Sequence, residues 1–168
     1  STGARGNDYW QQQRVGFRTD LTPSGRDAVT IQGDYYDGRS GESASLNRLS
    51  APYNILTGTT QSVSGGNLLG RWQRDISSTD SFTVQGYFDH TKRDWPAHLN
   101  EVRNTYDLDF QYRTKRLNGH DLVTGAAYRH SEDEMSASYS GIPSNTLQFA
   151  TFIPASSSTS LYSVFIQD

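Results

Sequence analysis

Four histidines are the side chains of this sequence best suited to metal binding or proton transfer. His90 and His98 flank a polar segment that also contains Asp89 and Asp94. Neither pairing has the spacing that brings two metal ligands to one face of a helix. We therefore predict no metal site and no resident cofactor, and expect these histidines to be solvated in a loop.

Covalent catalysis has no local signature either. The sequence contains no G-x-S-x-G elbow, P-loop, G-x-G-x-x-G or H-E-x-x-H motif. Ser131 follows His130 directly, but consecutive residues of a strand point to opposite faces, so this adjacency does not make a catalytic pair. We predict that the protein is not an enzyme. A barrel hydrolase stays open, because its serine and histidine would lie on neighbouring strands of the outer face.

Composition excludes further classes. The 168 residues include no cysteine, so we expect at most one domain, with no disulfide and no cysteine-ligated metal. The 15 basic and 18 acidic residues give a net charge of -3, which argues against a nucleic-acid partner. No apolar stretch approaches the roughly 18 residues of a membrane helix. The 10 Tyr, 7 Phe and 3 Trp nevertheless need an apolar environment.

The elements that must position these side chains are β-strands. In residues 106–113, four large apolar side chains alternate with polar ones, which is the pattern of a strand with one apolar face. The same alternation predicts six further strands, although the last has apolar residues on both faces. They are marked by Val15 and Phe17, by Val29, Ile31 and Tyr35, by Leu68, Gly70 and Trp72, by Phe82, Val84 and Phe88, by Leu122, Thr124, Ala126 and Tyr128, and by residues 161–168.

Short and long connections alternate between the predicted strands. Turn-forming residues such as Asn118-Gly119 predict tight hairpins at 21–27, 76–80 and 116–121. The connections at 37–65, 91–101 and 132–160 are longer, polar and rich in Gly, Ser, Thr and Pro. An up-and-down transmembrane barrel has this arrangement, with short periplasmic turns, long outer loops and strands of about 9–11 residues.

In such a barrel the apolar faces contact lipid and the polar faces line a hydrated lumen. The sequence predicts two aromatic belts, with Phe17, Trp72, Phe82 and Tyr112 near the short turns and Tyr35, Phe88, Tyr106 and Tyr128 near the long loops. A dry core would have to neutralise the charged residues of the polar faces pair by pair. The polar residues of these faces are Asp34, Arg71, Gln73, Gln85, Asp107, Asp109, Gln111, Arg113 and Arg129.

Four runs of the sequence also resemble known barrel strands. Arg14-Val-Gly-Phe-Arg-Thr-Asp20, Gly66-Asn-Leu-Leu-Gly-Arg-Trp72, Tyr106-Asp-Leu-Asp-Phe-Gln111 and Leu161-Tyr-Ser-Val-Phe-Ile-Gln-Asp168 are similar to strands of TonB-dependent outer-membrane receptors. The resemblance covers nearly the whole chain. It implies a 22-stranded barrel with an N-terminal plug, which takes up ferric siderophores, cobalamin or related scarce nutrients with energy from TonB.

The sequence departs from a complete receptor of that family, because it has about seven strands and lacks a plug, a TonB box and an aromatic C-terminal strand. We expect residues 1–168 to be an all-β, antiparallel interior part of such a barrel in the bacterial outer membrane. The plug and the remaining strands would lie outside this chain. The expected partners are the TonB complex acting through that plug, outer-membrane lipid and a small iron chelate.

Aromatic residues in the predicted outer loops are the candidate ligand contacts, because loops on a rigid scaffold carry recognition. They are Trp10, Tyr53, Trp95, His98, Tyr139, Phe149 and Phe152. Trp95 is the first choice, since Pro96 restricts its backbone. The predicted function is uptake of a ferric siderophore or similar nutrient. The alternative is a secreted, soluble β-sandwich module that binds carbohydrate or protein and needs no detergent.

Overall fold

One antiparallel sheet of seven strands makes up the fold. The computed structural model describes residues 6–117, 119–139, 141–147 and 151–168. The strands are β1 (Trp10–Ser24), β2 (Asp27–Asn47), β3 (Asn54–Asp75), β4 (Asp80–Trp95), β5 (Leu99–Thr114), β6 (Leu122–Ser136) and β7 (Ser156–Gln167). They pair in chain order, which confirms the predicted all-β, up-and-down arrangement.

The sheet is open within the described residues. β1 pairs with β2 alone and β7 with β6 alone, so each of these strands has one unpaired edge. Within the same residues, no helix is long and apolar enough to cross a membrane.

The strands are longer than predicted. β2 has 21 residues and β3 has 22, and their pairing continues as far as Asn47 and Asn54. The prediction of long loops at 37–65 and 91–101 was therefore wrong, since only 48–53 and 96–98 lie outside the strands. The Ser- and Gly-rich ends of β2 and β3 pair with each other, which satisfies the hydrogen-bonding groups of both backbones. Such pairing does not require alternating apolar side chains. The third long connection remains, at 137–155.

We call the end of the sheet with residues 48–53, 96–98 and 137–155 the loop end, and the opposite end the turn end. At the turn end, 25–26, 76–79 and 115–121 connect the strands, where tight hairpins were predicted. Asn118, one of the predicted turn-forming residues, lies outside the described residues.

Asp80 organises the turn end, outside the apolar rows described below. Its carboxylate accepts hydrogen bonds from Ser77 Oγ at 2.6 Å, Thr114 Oγ1 at 2.7 Å and Arg116 Nε at 2.7 Å. Asp80 is only 2% exposed. These hydrogen bonds hold the pKa of Asp80 well below its usual value, and the bond from Ser77 has the largest effect.

The register places the predicted apolar residues on one face, which we call the apolar face. Phe110 lies directly opposite Val84 on one side and Ala126 on the other, and Val84 lies opposite Trp72. The large side chains of this face occupy the middle rows of all seven strands. They are Val15, Phe17, Leu21, Val29, Ile31, Tyr35, Leu68, Trp72, Phe82, Val84, Phe88, Tyr106, Leu108, Phe110, Tyr112, Tyr128, Tyr162, Val164 and Ile166.

Aromatic rings pair across strands near both edges of these rows. Trp72 and Phe82 meet edge to face with 4.9 Å between ring centres, and Phe88 and Tyr106 are 5.1 Å apart. The prediction for Phe17 was wrong. The register aligns Phe17, through Gly33 and Leu68, with Phe88 rather than with the aromatic residues near the turn end.

The opposite, polar face carries the charged and amide residues named from the sequence. Arg14 pairs with Asp34 at 2.7 Å and Arg129 with Asp107 at 2.8 Å. The two apolar sides of β7 are also as predicted, because Leu161 and Phe165 share the polar face while Tyr162 and Val164 share the apolar one.

Gly125 makes room for an aromatic ring on the polar face. It lies directly opposite Phe165 on β7, and a Cβ on Gly125 would be 2.5 Å from the ring carbon Cε1. Any larger residue would have to displace the ring and would also meet the backbone oxygen of Phe110, 2.7 Å from such a Cβ. The paired Gly70 and Gly86 of the apolar face differ, since nothing lies within 4 Å of a Cβ built there.

Apolar residues change sides toward the loop end. On β2 the apolar face carries Val29 and Ile31, whereas Ala44 and Leu46 belong to the polar face. The connection 137–155 borders this second patch, and Ala44 and Leu46 are 6% and 4% exposed. Phe110, in the middle of the apolar face, is 44% exposed. The chain thus buries one apolar patch and leaves the larger one uncovered.

Candidate functional site

The described residues of the connection 137–155 lie at the loop end and form hydrogen bonds with two hairpins. Ala97 N donates to Ser138 O at 3.0 Å, and Leu147 N donates to Asn47 O at 2.8 Å. Arg48 and Thr146 form an additional β-bridge. These contacts hold the connection against the ends of β2 and β4.

A cavity of about 550 Å³ lies between this connection and the strand ends. We call it the loop-end cavity. Most of its lining is aliphatic or aromatic, and Glu42 is its acidic residue. No lysine or arginine lines it within the described part of the chain. The lining residues used below are Glu42, Trp95, His98, Tyr139, Phe152 and Leu46.

Trp95 and Glu42 form the best-defined polar contact of the cavity. The indole Nε1 of Trp95 donates a 2.6 Å hydrogen bond to Glu42 Oε2. Trp95 is on β4 and Glu42 on β2, so the bond reaches across β3. Both side chains are half-buried. This bond fixes the carboxylate against the edge of the indole ring.

His98 covers part of the same indole. Ala97 has a positive φ of 68°, in the left-handed region that few non-glycine residues adopt. The resulting turn brings the His98 ring back onto Trp95, with 4.1 Å between ring centres and 16° between planes. His98 Nδ1 lies 3.2 Å from Pro96 O. His98 is an exposed residue of the connection 96–98, as expected for a loop histidine, and one face of its ring packs on the indole of Trp95.

The structure brings four of the seven predicted ligand residues together. Trp95, His98, Tyr139 and Phe152 all line the loop-end cavity. The other three are elsewhere: Trp10 borders a separate groove with Arg39 and Arg93, Tyr53 is 70% exposed in the connection 48–53, and Phe149 lies outside the described residues.

Sequence reasoning missed Glu42, Ala44 and Leu46. They lie in the segment 37–65, which was predicted to be a loop. A signal was present, because Ala44 and Leu46 alternate with Ser43 and Ser45. The alternation contains only two apolar residues. They occupy even positions, whereas Val29 and Ile31 occupy odd ones, so the alternation does not continue that of the apolar face.

Several acidic residues of the polar face form ion pairs, but Glu42 forms none with the described residues. Asp34, Asp107 and Asp133 are each bound by an arginine. No cationic group of the described residues lies within 4.0 Å of the Glu42 carboxylate. Glu42 is therefore a half-buried carboxylate with an indole donor and no counter-charge.

A second cluster lies on the apolar face, at its border toward the loop end. His130 Nδ1 is 2.9 Å from Ser160 Oγ on the neighbouring strand, and its Nε2 is 3.2 Å from Glu132 Oε1. The ring of Tyr128 stacks beside His130 at 6.4 Å. Ser131 is not part of this cluster, since its hydroxyl is near Thr105 on the polar face.

Among the residues that the structure describes, no three histidine, aspartate or glutamate side chains are grouped so that they could hold a metal ion. Comparisons with protein-family models, with curated proteins and with solved structures found no match to this chain. The functional proposal therefore rests on the geometry of the sheet and on the resemblance of its strands to those of TonB-dependent receptors.

Proposed function

We propose that this chain is part of the barrel of a TonB-dependent outer-membrane receptor that takes up a ferric siderophore or a similar scarce nutrient. The observation that carries the proposal is the uncovered apolar face, opposite a face of charged pairs. Phe110, Leu108 and Ile31 are 44%, 53% and 40% exposed at the centre of the sheet.

Lipid is the environment that best suits this pair of faces. Apolar surface left in water costs about 25 cal/mol per Å², and an uncovered patch of this extent marks a contact with a partner or a membrane. Acyl chains would cover the apolar rows without a second protein layer. A hydrated lumen would solvate polar-face pairs such as Arg14 and Asp34, which avoids the desolvation cost of a dry core.

The free edges of β1 and β7 require further strands in this setting. In lipid each unsatisfied backbone group costs several kcal/mol, so a membrane sheet must close on itself. We therefore include in the proposal a longer protein whose further strands close the barrel, with 22 strands in total as the resemblance to TonB-dependent receptors implies. A plug within that barrel would receive energy from TonB.

The loop-end cavity is the nutrient-contact site in this proposal. It lies on the polar face, which would be the inner wall of the barrel, and at the end opposite the tight turns. A nutrient arriving from outside would meet this end first. The connection 137–155 would then form part of the entrance.

Localisation and uptake test the proposal together. The full-length protein that contains this chain should be found in the detergent-resistant outer-membrane fraction. Cells that carry it should accumulate a radiolabelled ferric siderophore, and the accumulation should stop when TonB is deleted. A monodisperse protein in plain buffer would contradict the proposal and favour the soluble binding module, which would also need a second sheet over the apolar face.

A second candidate function is hydrolysis of an acyl ester in the outer leaflet. The cluster of Ser160, His130 and Glu132 favours it. A nucleophile, a base and an orienting carboxylate are each within hydrogen-bond distance of the next. The Ser160 hydroxyl would attack the ester carbonyl while its proton passes to His130 and then to the leaving alcohol. Water would release the acyl group in the same way.

A fluorophosphonate probe tests this second candidate. Labelling of the purified protein that is lost in Ser160→Ala and kept in Ser131→Ala would support it. Ser131 is a suitable control because it is next to His130 in sequence but on the other face. Absence of labelling in the unmodified protein removes the candidate and leaves the transport proposal untouched.

A further inference from the structure

The charge of the loop-end cavity restricts what it can bind. Glu42 lines the cavity and lacks the arginine partner that Asp34 and Asp107 have. Its Oε2 accepts the Trp95 indole N–H, and its Oε1 has no hydrogen-bond partner among the described residues. A fixed carboxylate thus presents one open oxygen with no counter-charge.

The aromatic lining favours the same sign of ligand charge. Trp95, Tyr139, Phe152 and His98 surround the cavity together with aliphatic residues such as Leu46. The faces of the Trp95, Tyr139 and Phe152 rings carry partial negative charge and attract cations, most strongly where water is excluded. A carboxylate beside aromatic rings is a combination suited to an ammonium group attached to an apolar body.

An anionic ligand is disfavoured for the converse reason. It would have to give up its hydration opposite Glu42, and within the described lining no lysine or arginine would compensate it. The volume of about 550 Å³ is within the range of small-molecule pockets, roughly 300–1,000 Å³. Size therefore admits a small organic ligand, and charge selects among ligands of that size.

We propose that the loop-end cavity binds an organic cation with an apolar body, its positive group at Glu42 and its body against Trp95 and Phe152. As a statement about the transported nutrient, this inference rests on the proposed function. It specifies a nutrient or ferric complex with a positively charged arm. As a statement about a binding site, it applies to the protein in any location.

Three probes with one apolar body separate charge from shape. They are 4-phenylbutylammonium, 4-phenylbutanol and 4-phenylbutanoate, titrated calorimetrically into the purified full-length protein. The ammonium should bind at least about tenfold more tightly than the carboxylate, a difference of about 1.4 kcal/mol. The alcohol should be intermediate. In Glu42→Gln, which keeps an acceptor for the indole, the preference should fall to about twofold or less.

Glu134→Gln is the matched control, because it removes one negative charge from an exposed residue that does not line this cavity. It should keep the preference for the ammonium. The inference is overturned if the ammonium fails to bind at millimolar concentration, if the carboxylate binds as tightly, or if Glu42→Gln leaves the preference intact. Thermal unfolding of each variant checks that it is folded.

The two proposals fail separately. A protein that prefers the ammonium but is soluble, or does not accumulate ferric siderophore, loses the transport function and keeps the cation site. A protein that transports in a TonB-dependent manner but shows no charge preference keeps the function and loses the cation site.

Discussion

Arg48 and Asn145 lie 97 residues apart in the chain and are joined by a 3.1 Å hydrogen bond from the arginine Nε to the asparagine Oδ1. The backbone oxygen of Asn145 accepts the N–H of Leu49 at 3.0 Å, and its side-chain nitrogen donates to Ser50 Oγ at 3.2 Å. One residue of the connection 137–155 thus holds the β2–β3 hairpin by three bonds. The position of the loop-end cavity's cover depends on this attachment.

Asn145→Ala should loosen the cover without unfolding the sheet. Two side-chain hydrogen bonds are lost, each with a net value of about 0.5–1.5 kcal/mol. Hydrogen exchange at the amides of Leu49 and Leu147 should therefore become about tenfold faster or more. Asn54→Ala is the control, because Asn54 bonds within its own hairpin. Unchanged exchange in Asn145→Ala would show that the backbone bonds alone hold the connection.

Adjacent residues of β5 test which face contacts lipid. Phe110 is on the apolar face and Gln111 on the polar face. Under the proposed function, Phe110→Arg in the full-length protein reconstituted in lipid should lower the free energy of unfolding by about 2–4 kcal/mol, the cost of arginine near the bilayer midplane. Gln111→Arg should change it by less than about 0.5 kcal/mol. Denaturant unfolding in lipid vesicles measures both. A Phe110→Arg variant that is more soluble and equally stable would contradict the membrane assignment.

Gly125 and Gly70 should respond oppositely to the same added methyl group. Gly125→Ala places Cβ against the Phe165 ring and should destabilise by about 1–3 kcal/mol. Gly70→Ala meets nothing within 4 Å and should be neutral or stabilise by about 0.5–1 kcal/mol. Denaturant midpoints of the two variants provide the comparison. Equal effects would show that the Phe165 ring and the Phe110 backbone oxygen both move aside without cost.

Acid should remove a charge contact at the turn end. Arg113 Nε donates to Asp121 at 2.7 Å and Lys115 Nζ is 3.6 Å away, which lowers the pKa of Asp121 to about 2. The unfolded value is about 3.9, so this carboxylate stabilises the fold above about pH 4 and loses that effect as the pH falls toward 2. The thermal-midpoint difference between the unmodified protein and Asp121→Asn should follow the same course.

Asp75→Asn controls for the loss of one negative charge at the same end of the sheet. Its difference from the unmodified protein should not follow that of Asp121→Asn, since the structure gives Asp75 no ion pair within the described residues. A difference for Asp121→Asn that stays constant from pH 5 to pH 2 would contradict the assigned contact.

The strands and their faces could be predicted because alternation is a local property. Tyr106, Leu108 and Phe110 identify one side of β5 without knowledge of any other strand. Strand length could not be predicted in the same way. Between residues 40 and 44 of β2, the side chains on both faces and those of the β3 partners are small or polar, and only the backbone pairing to β3 extends the strand.

The cavity was beyond the sequence for a different reason. Trp95 and Tyr139 were identified as aromatic residues of separate predicted loops, but their meeting depends on how 137–155 crosses the sheet. The sequence around Glu42 does not mark it as a cavity residue, because its position there depends on the hydrogen bond from the Trp95 indole across β3. Contacts over such sequence distances depend on tertiary arrangement rather than local pattern.

The unpaired edge of β7 has a consequence for anyone who produces these 168 residues by themselves. Along one side of its twelve residues, backbone N–H and C=O groups are free to pair with an extended peptide. The unpaired edge of β1 offers a second row of such groups. Copies of the chain would pair edge to edge, and each copy would extend the sheet by seven strands. Ribbons or insoluble deposits are therefore the expected product, unless other backbone covers these edges.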